Sequence, residues 1–178
     1  PTDATIDSQI SSLKSSGVDA ILVAAIPKFA AQAIRKVKDL SWSPMFFMTN
    51  VSISVGTVMN PAGPENGVGI LSTNYLKDPT DPSWANDPGM TEWRNFMNKE
   101  MPGADQTDAS YVFAYGVSKT VLQMLKQCNG NFTRENIMKQ AASIKDFENP
   151  TFLPGIKVNT SATNFHPITS MQMMRWDG

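Results

Sequence analysis

Apolar and polar positions follow two different periods at the start of the chain. Ile6, Ile10 and Leu13 recur at the spacing of one helix face, and Gly17 follows where a helix would stop. Residues 18–25 then form a continuous apolar run with β-branched members. Such a run is typical of a strand buried on both faces of a parallel sheet. The pattern predicts a helix followed by a buried strand.

The same alternation repeats over the next 25 residues or so of the chain. After Pro27, an apolar stripe with a polar opposite face predicts a second helix, and its stripe positions are Phe29, Ala33, Val37 and Leu40. Residues 44–48 predict a second strand. Helix, strand, helix and strand with short connections form a unit that winds right-handed into a parallel sheet. The predicted fold class is therefore α/β.

The pattern changes after a third predicted strand at residues 67–73. The segment KDPTDPSWANDPG, residues 77–89, is rich in Pro and Asp and predicts an extended linker. Beyond it the sequence predicts three helices: the first is capped by Asp87, the second spans residues 108–128, and the third is capped by Thr133. Short strands are predicted at residues 156–158 and 168–176. The linker is the best internal boundary in the chain.

The helical section has wide apolar faces but only a short strand of its own. Such faces need a sheet or other helices to cover them. The sequence therefore predicts that this section is part of a larger protein.

Composition and motifs exclude several function classes. The 178 residues carry a formal net charge of −1 with scattered basic residues, which argues against a nucleic-acid partner. The single cysteine, Cys128, falls on an apolar helix face, and the single histidine, His166, has no His or Cys with which to share a metal. No phosphate-binding loop, nucleophile elbow or zinc-protease motif occurs. We expect no catalytic residue, no metal site and no cofactor.

Polar and apolar residues alternate in the loops that follow the first two predicted strands. These loops are residues 25–28 and residues 49–52. In open α/β sheets, ligands bind outside the carboxyl ends of the strands, and a small-molecule pocket needs an apolar lining with a few placed polar groups. We expect the two loops to lie side by side at one sheet edge. From the residues alone, a ligand-binding wall and ordinary surface loops are equally supported.

Several segments together carry a family resemblance. The run SQISSLKSSGVDAILVAAIPKFAAQAIRKVKDLSWSPMFFMTNVS resembles the second lobe of periplasmic solute-binding proteins of the branched-chain amino-acid type, which serve ABC importers. The segments GILSTNYLKDPTDPSW, ASYVFAYGVSKTVLQMLKQC, FTRENIM and FHPITSMQMMRWDG resemble the same family. The resemblance extends over essentially the whole chain.

The resemblance implies a type I periplasmic binding protein, with two Rossmann-like lobes that close on a ligand like a hinge. It places residues 1–76 and 166–178 in the second lobe and residues 77–165 in a mostly helical, incomplete first lobe that lacks its N-terminal part. The resemblance assigns to that missing part the cover of the faces that carry Trp93, Met97, Val112, Phe113 and Ile137. We therefore expect a missing N-terminal segment or a second copy of the chain to cover them. The resemblance further implies an exported, non-catalytic protein whose partners are a small-molecule ligand, bound in a cleft between lobes, and the membrane permease of an ABC importer.

The resemblance also implies a set of ligand-binding positions. They are Ala25, Ile26, Asn50, Val51, Ser52 and Tyr111. The family's amino-acid binders carry a tyrosine in the first loop, which this chain lacks, and a glutamate where this chain has Val51. Because a buried ammonium without a carboxylate partner is costly, the departure favours a small organic acid with an aromatic or aliphatic body over an amino acid.

Two other classes of function stay open. A ligand-sensing domain of a receptor or transcriptional regulator can share this fold, and the complete gene would then encode a DNA-binding or membrane segment. An α/β enzyme would need a Ser or Cys nucleophile with its partners, or a metal cluster, and the sequence offers neither.

Overall fold

The computed structural model describes residues 4–178 and divides the chain into two compact units. The first unit comprises the residues up to Asn74 together with Met173–Gly178, and the second comprises Tyr75–Gln172. The sequence placed the two boundaries at residues 76/77 and 165/166. The assignment of the two segments to particular lobes stays a prediction.

The first unit is built on a four-stranded sheet. Its elements are α1 (Asp7–Ser15), β1 (Ala20–Val23), α2 (Pro27–Asp39), β2 (Met45–Met48), α3 (Asn60–Ala62), β3 (Leu71–Asn74) and β4 (Gln172–Arg175). The strand order is β1-β2-β3-β4, and β1 pairs parallel to β2, as β2 does to β3. The predicted α/β fold with a parallel sheet is confirmed. Gly17 has a positive φ of 77°, so it stops α1 as predicted.

One face of this sheet carries the core of the unit. Strand side chains Ile21 and Phe46 are register partners, and they share one apolar cluster with α1, α2 and the turns after β2. Ala30 and Ala33 of α2 are completely buried in this cluster. Their small side chains let the helix approach the sheet closely. The helical elements of the unit therefore pack on the same side of the sheet.

The opposite face is not covered by any of the described residues. Leu22 is 70% exposed, Met45 is 59% exposed and Met173 is 65% exposed. Leu22 and Met45 alternate along their strands with the buried Ile21 and Phe46, as the period of two requires. The prediction that residues 18–25 are buried on both faces is wrong for the described chain, because its helices lie on one side only.

The second unit is mostly helical. Its helices are α4 (Pro88–Glu100), α5 (Ala109–Gln127) and α6 (Arg134–Ala141). Asp87 caps α4 by accepting a hydrogen bond from the Met90 amide at 2.9 Å, and the Thr133 hydroxyl accepts one from the Asn136 amide at 3.4 Å. All three predicted helices of this section are confirmed, together with the two predicted caps.

The second unit buries several side chains that the sequence assigned to uncovered faces. Trp93, Met97 and Val112 are almost completely inaccessible, because they pack with Met90 in a cluster between α4 and α5. The prediction that these three are exposed is wrong. The helices cover one another at this point. Phe113 is exposed as predicted, and Val117 and Val121 of the same helix are exposed as well.

A buried cation ties the predicted linker to α4. The Lys77 ammonium lies 2.8 Å from an Asp87 carboxylate oxygen and donates to the Pro150 carbonyl at 2.9 Å. It also lies 5.5 Å from the ring centroid of Trp84. The segment predicted as an extended linker is therefore anchored by an ion pair, and it contains a tight helical turn at Pro82–Trp84.

The tail forms less strand than the sequence predicted. Residues 156–158 make only an isolated antiparallel bridge, between Val158 and Phe147. The turn at Pro154 and Gly155, where Gly155 has a φ of 83°, leaves too few residues for a longer ladder. The strand predicted at residues 168–176 is confined to β4.

Candidate functional site

The two predicted loops meet at the carboxyl edge of the parallel sheet in the first unit. The Thr49 amide donates to the Val23 carbonyl at 3.1 Å, which extends the β1–β2 pairing to the point where both strands end. Just beyond, Ser52 makes two hydrogen bonds to Ala25 of the other loop. The predicted adjacency of the loops is confirmed.

The Ser52 hydroxyl joins the two loops through a complete hydrogen-bond set. It accepts from the Ala25 amide at 3.0 Å and donates to the Ala25 carbonyl at 2.7 Å. The Thr49 hydroxyl lies 2.9 Å from the same oxygen, and since Ser52 has already used its only proton, Thr49 is the donor. Ser52 is fully buried. It therefore holds the loops in place, and its role as a ligand contact stays a prediction.

The neighbours of Ser52 present an apolar surface with one free polar group. Ile26 and Val51 are exposed, and Val51 is 61% accessible. Asn50 is half-buried, and its side-chain amide makes no hydrogen bond to any residue within the described range 4–178. An amide can donate and accept at once. The surface combines apolar contact area with a group that can orient a ligand.

The chain segments that carry these loops contain basic residues, but no acidic residues on either side of Asp39. Residues 20–38 and 40–64 contain no Asp or Glu. Lys28 lies exposed in the first turn of α2, 5.4 Å from the ring centroid of Phe29, and the amino end of a helix carries a partial positive charge. Lys28 lies in the predicted loop but outside the predicted set of site residues. The absence of acidic residues around it is the sequence signal that points to it.

Two short helical turns lie in and after the second loop. A 3₁₀ turn at Asn50–Ser52 is followed by a π-helical turn at Val55–Met59. Single π-turns occur often at functional sites. The sequence left residues 53–66 without a predicted element, since hydrophobic periodicity does not distinguish such mixed turns.

Tyr111 belongs to the second unit. It lies in the first turn of α5, is half-buried and packs against the cluster of Met90, Trp93 and Met97. Its ring therefore has structural contacts within the second unit. Its role in ligand binding stays a prediction.

The second unit holds an apolar cavity of about 290 Å³ that the sequence did not anticipate. Its lining is formed by Tyr75, Phe113, Val117, Thr120, Val121, Phe152, Val158, Pro167 and Ile168. The exposed α5 side chains form one wall of it. Among these residues, only Thr120 and Tyr75 offer polar groups, so the cavity lacks the convergent polar set of a ligand site.

The titratable residues of the described chain form no metal-binding cluster. Within residues 4–178, no group of His, Cys, Asp and Glu side chains could hold a metal ion. Cys128, the residue directly after α5, is buried, and His166 is exposed. No helix among these residues is both long enough and apolar enough to span a bilayer.

Comparison with known sequences gives the family. The sequence profile of the family described as periplasmic binding protein matches residues 1–178. The chain therefore belongs to the periplasmic binding protein family. Among curated proteins, none matches the chain.

Solved structures share the fold over almost the whole chain. A branched-chain amino-acid ABC transporter protein from Thermus thermophilus, solved with bound valine, superposes with a TM-score of 0.80 at 11% identity. A substrate-binding periplasmic protein from Ralstonia solanacearum gives 0.77 at 16% identity. A fatty acid ABC transporter substrate-binding protein from Thermomonospora curvata gives 0.68 at 20% identity.

The three matches cover 98%, 98% and 99% of this chain but only 47%, 48% and 47% of the respective relatives. The chain thus spans about half the length of the solved structures it matches. At these identities the likeness establishes the fold.

Proposed function

We propose that the chain is part of an exported, non-catalytic solute-binding protein of an ABC importer, and that the loops at residues 25–28 and 50–52 form a wall of its ligand site. Family membership supports the class of protein. The observation that carries the site is the Ser52 link between the loops, which fixes Ile26, Val51 and Asn50 at the carboxyl edge of a parallel sheet.

The proposed ligand is a small organic acid with an aromatic or aliphatic body. Exposed Ile26 and Val51 suit the apolar body, and the Asn50 amide and the Lys28 ammonium suit a carboxylate. An α-amino acid is the other candidate, and its ammonium would have no carboxylate partner in these loops. Lys28 lies on a solvent-exposed first turn, so its attraction is sensitive to salt.

The solved relatives include binders of both candidate classes of ligand. The Thermus thermophilus protein holds valine, and the Thermomonospora curvata protein is described as a fatty acid binder. Proteins of this fold therefore include binders of ligands with and without an ammonium, and we propose that the residues at the loop ends decide between them. In this chain Val51 would give an ammonium no carboxylate partner, which disfavours an amino acid.

The proposed partners are the membrane permease of the importer and a further segment of the protein. The second unit exposes Phe113, Val117 and Val121 along α5 beside an apolar cavity. Fully burying such a side chain contributes roughly 1.5–3 kcal/mol relative to leaving it in water, and because these three are a little under half exposed, covering them would contribute about half of that each. We propose that a missing N-terminal segment covers this stripe, with a second copy of the chain as the competing possibility.

A ligand screen on the complete gene product tests this function. Thermal-shift measurements would compare carboxylates with their α-amino counterparts, for example phenylpropionate with phenylalanine and hexanoate with norleucine, followed by calorimetric titration. We expect at least one carboxylate to raise the melting temperature and to bind with saturation. Turnover of the bound compound, or the lack of any stabilising carboxylate or amino acid, would contradict the proposal.

A further inference from the structure

The Ser52 hydroxyl uses its full hydrogen-bonding capacity within the two loops. Its hydrogen goes to the Ala25 carbonyl at 2.7 Å, because a carbonyl can only accept. Its two acceptor positions are taken by the Ala25 amide at 3.0 Å and by the Thr49 hydroxyl at 2.9 Å. The group at the outer end of this chain of hydrogen bonds is therefore the Thr49 hydroxyl.

The same bonds fix the polarity of Thr49. Its only hydroxyl hydrogen is donated to Ser52, so its oxygen can only accept from any further group. No residue within the described range 4–178 donates to that oxygen. Thr49 directly follows β2 and is half-buried, so part of its side chain is open to solvent. Thr49 therefore offers an acceptor at the edge of the candidate site.

The backbone holds this acceptor in place. The Thr49 amide donates to the Val23 carbonyl at 3.1 Å, and the Thr49 carbonyl accepts from the Ser52 amide at 2.9 Å. The β-branched side chain of threonine has few allowed rotamers. A ligand that donates to the Thr49 oxygen therefore binds a group that is already ordered, which lowers the entropic cost of binding.

The substituent next to a ligand carboxylate determines how well the ligand matches this acceptor. A hydrogen at that position gives the Thr49 oxygen no partner. An ammonium can donate to it but also brings a positive charge, and residues 20–38 and 40–64 contain no Asp or Glu to balance that charge. A hydroxyl donates one hydrogen and carries no charge. The hydroxyl is therefore the substituent that these loops fit best.

We propose that the ligand of these loops is a 2-hydroxy acid, and that Thr49 determines this specificity by accepting a hydrogen bond from the ligand hydroxyl. The Asn50 amide, which makes no hydrogen bond to residues 4–178, donates to the carboxylate. Consecutive Cα atoms lie about 3.8 Å apart, so Thr49 and Asn50 can serve groups on adjacent carbons of one ligand. The inference rests on the proposed function and narrows its substrate class from organic acids to hydroxy acids.

Two ligand series that differ only in the substituent at C2 test the inference on the complete gene product. One series is phenylpropionate, phenyllactate and phenylalanine, and the other is hexanoate, 2-hydroxyhexanoate and norleucine. In the series whose apolar body fits, we expect calorimetric titration to show the hydroxy acid binding at least about fivefold more tightly than the other two members, as one additional hydrogen bond allows.

A matched pair of substitutions assigns this preference to Thr49. Thr49→Val keeps the shape of the side chain and removes the acceptor, so the dissociation constants of the hydroxy acid and the unsubstituted acid are expected to become equal. Thr49→Ser keeps the acceptor and is expected to keep the preference. Because each comparison is made between two ligands on one variant, a general disturbance of the loops cancels. Thr49→Ala replaces Thr49→Val if the latter does not fold.

The outcomes separate this inference from the proposed function. Wild-type protein that binds the unsubstituted acid or the amino acid as tightly as the hydroxy acid would overturn the inference and leave a solute-binding function in place. A preference for the hydroxy acid that persists in Thr49→Val would also overturn it, because another group would then recognise the hydroxyl. Binding of none of the carboxylates or amino acids would overturn both.

Discussion

One buried hydroxyl determines the shape of the candidate site. Ser52 binds both backbone groups of Ala25, which lies 27 residues away in the sequence. Polar backbone groups that lose a partner in a buried setting cost the full desolvation penalty. The two strand ends are therefore coupled through this side chain, and ligand-binding residues on either loop depend on it.

Replacing Ser52 by Ala is expected to reduce the free energy of unfolding by about 1–3 kcal/mol, because the Ala25 amide and carbonyl are left without their partner. The matched control is Ser54→Ala. The Ser54 hydroxyl is buried and has no hydrogen-bond partner among the described residues, so its removal is expected to cost nothing measurable. Urea denaturation of both variants checks this, and equal stabilities would contradict the role of Ser52.

Tyr111 carries a second prediction at this scale. If its ring belongs to the ligand wall, Tyr111→Ala weakens ligand binding by about tenfold or more, which corresponds to about 1.4 kcal/mol. Tyr111→Phe keeps the packing against the α4–α5 cluster, so it distinguishes the contribution of the ring to ligand binding from that of the hydroxyl. Calorimetric titration of the complete gene product measures both. An unchanged dissociation constant for a folded Tyr111→Ala variant would show that the ring is structural only.

Sequence patterns predicted correctly that the two loops are adjacent, but they predicted the exposure of single side chains less well. The adjacency of residues 25–28 and 49–52 follows from chain order and winding alone. The burial of Trp93 was missed because it depends on how α4 and α5 pack on each other. The hydrogen bonds of Ser52 could not be predicted either, since no local sequence pattern indicates a hydrogen bond between two loops.

At the scale of elements, caps and ion pairs determine where the helices of the second unit begin. Asp87 and Asp108 both cap helices by accepting a hydrogen bond from a backbone amide at 2.9 Å. Only Asp87 is also paired with a buried lysine, Lys77. The start of α4 is therefore fixed to the preceding segment, whereas the start of α5 is fixed by its cap alone.

The substitution Asp87→Asn removes the charge of this ion pair but keeps the helix cap, since Asn is also a good cap. We expect it to lower the free energy of unfolding by about 1–3 kcal/mol, because Lys77 loses its charged partner while remaining buried. Asp108→Asn is the control and is expected to change stability by only a few tenths of a kcal/mol. Urea denaturation near neutral pH distinguishes the two.

The effect of Asp87 should also depend on pH. Burial by itself would raise the pKa of Asp87, but hydrogen bonds from Lys77 and from the Met90 amide lower it overall. Because the folded pKa lies below the unfolded value, the stabilisation is complete above the unfolded pKa of about 4 and is lost as the pH falls through the folded pKa. The difference in free energy of unfolding between the wild type and Asp87→Asn should therefore shrink in this acidic range. A difference that does not change with pH would contradict the role assigned to the ion pair between Lys77 and Asp87.

Helices were more predictable than strands in this chain. Periodic apolar positions and polar caps located α4, α5 and α6, because both signals are local. The strands are only four residues each, too short for alternation to fix their limits. The strand predicted at residues 156–158 shows the same weakness, since pairing there depends on a partner at Phe147.

At the scale of the whole molecule, both units carry apolar surface that the described residues do not cover. The first unit exposes one face of its sheet, and the second exposes a stripe of α5. The sequence predicted incomplete coverage only for the helical section. It did not predict the exposed sheet face of the first unit, because an apolar run indicates a strand buried on both faces but does not show which segment covers the second face.

The most direct test of the ligand site is a calorimetric titration of the carboxylate found in the screen against Val51→Glu and Val68→Glu in the complete gene product. Val51 is 61% exposed in the candidate site, and Val68 is 58% exposed elsewhere in the same unit. We expect Val51→Glu to weaken binding at least about tenfold by charge repulsion, and Val68→Glu to bind as the wild type does. Equal dissociation constants for all three proteins would contradict a ligand site at these loops.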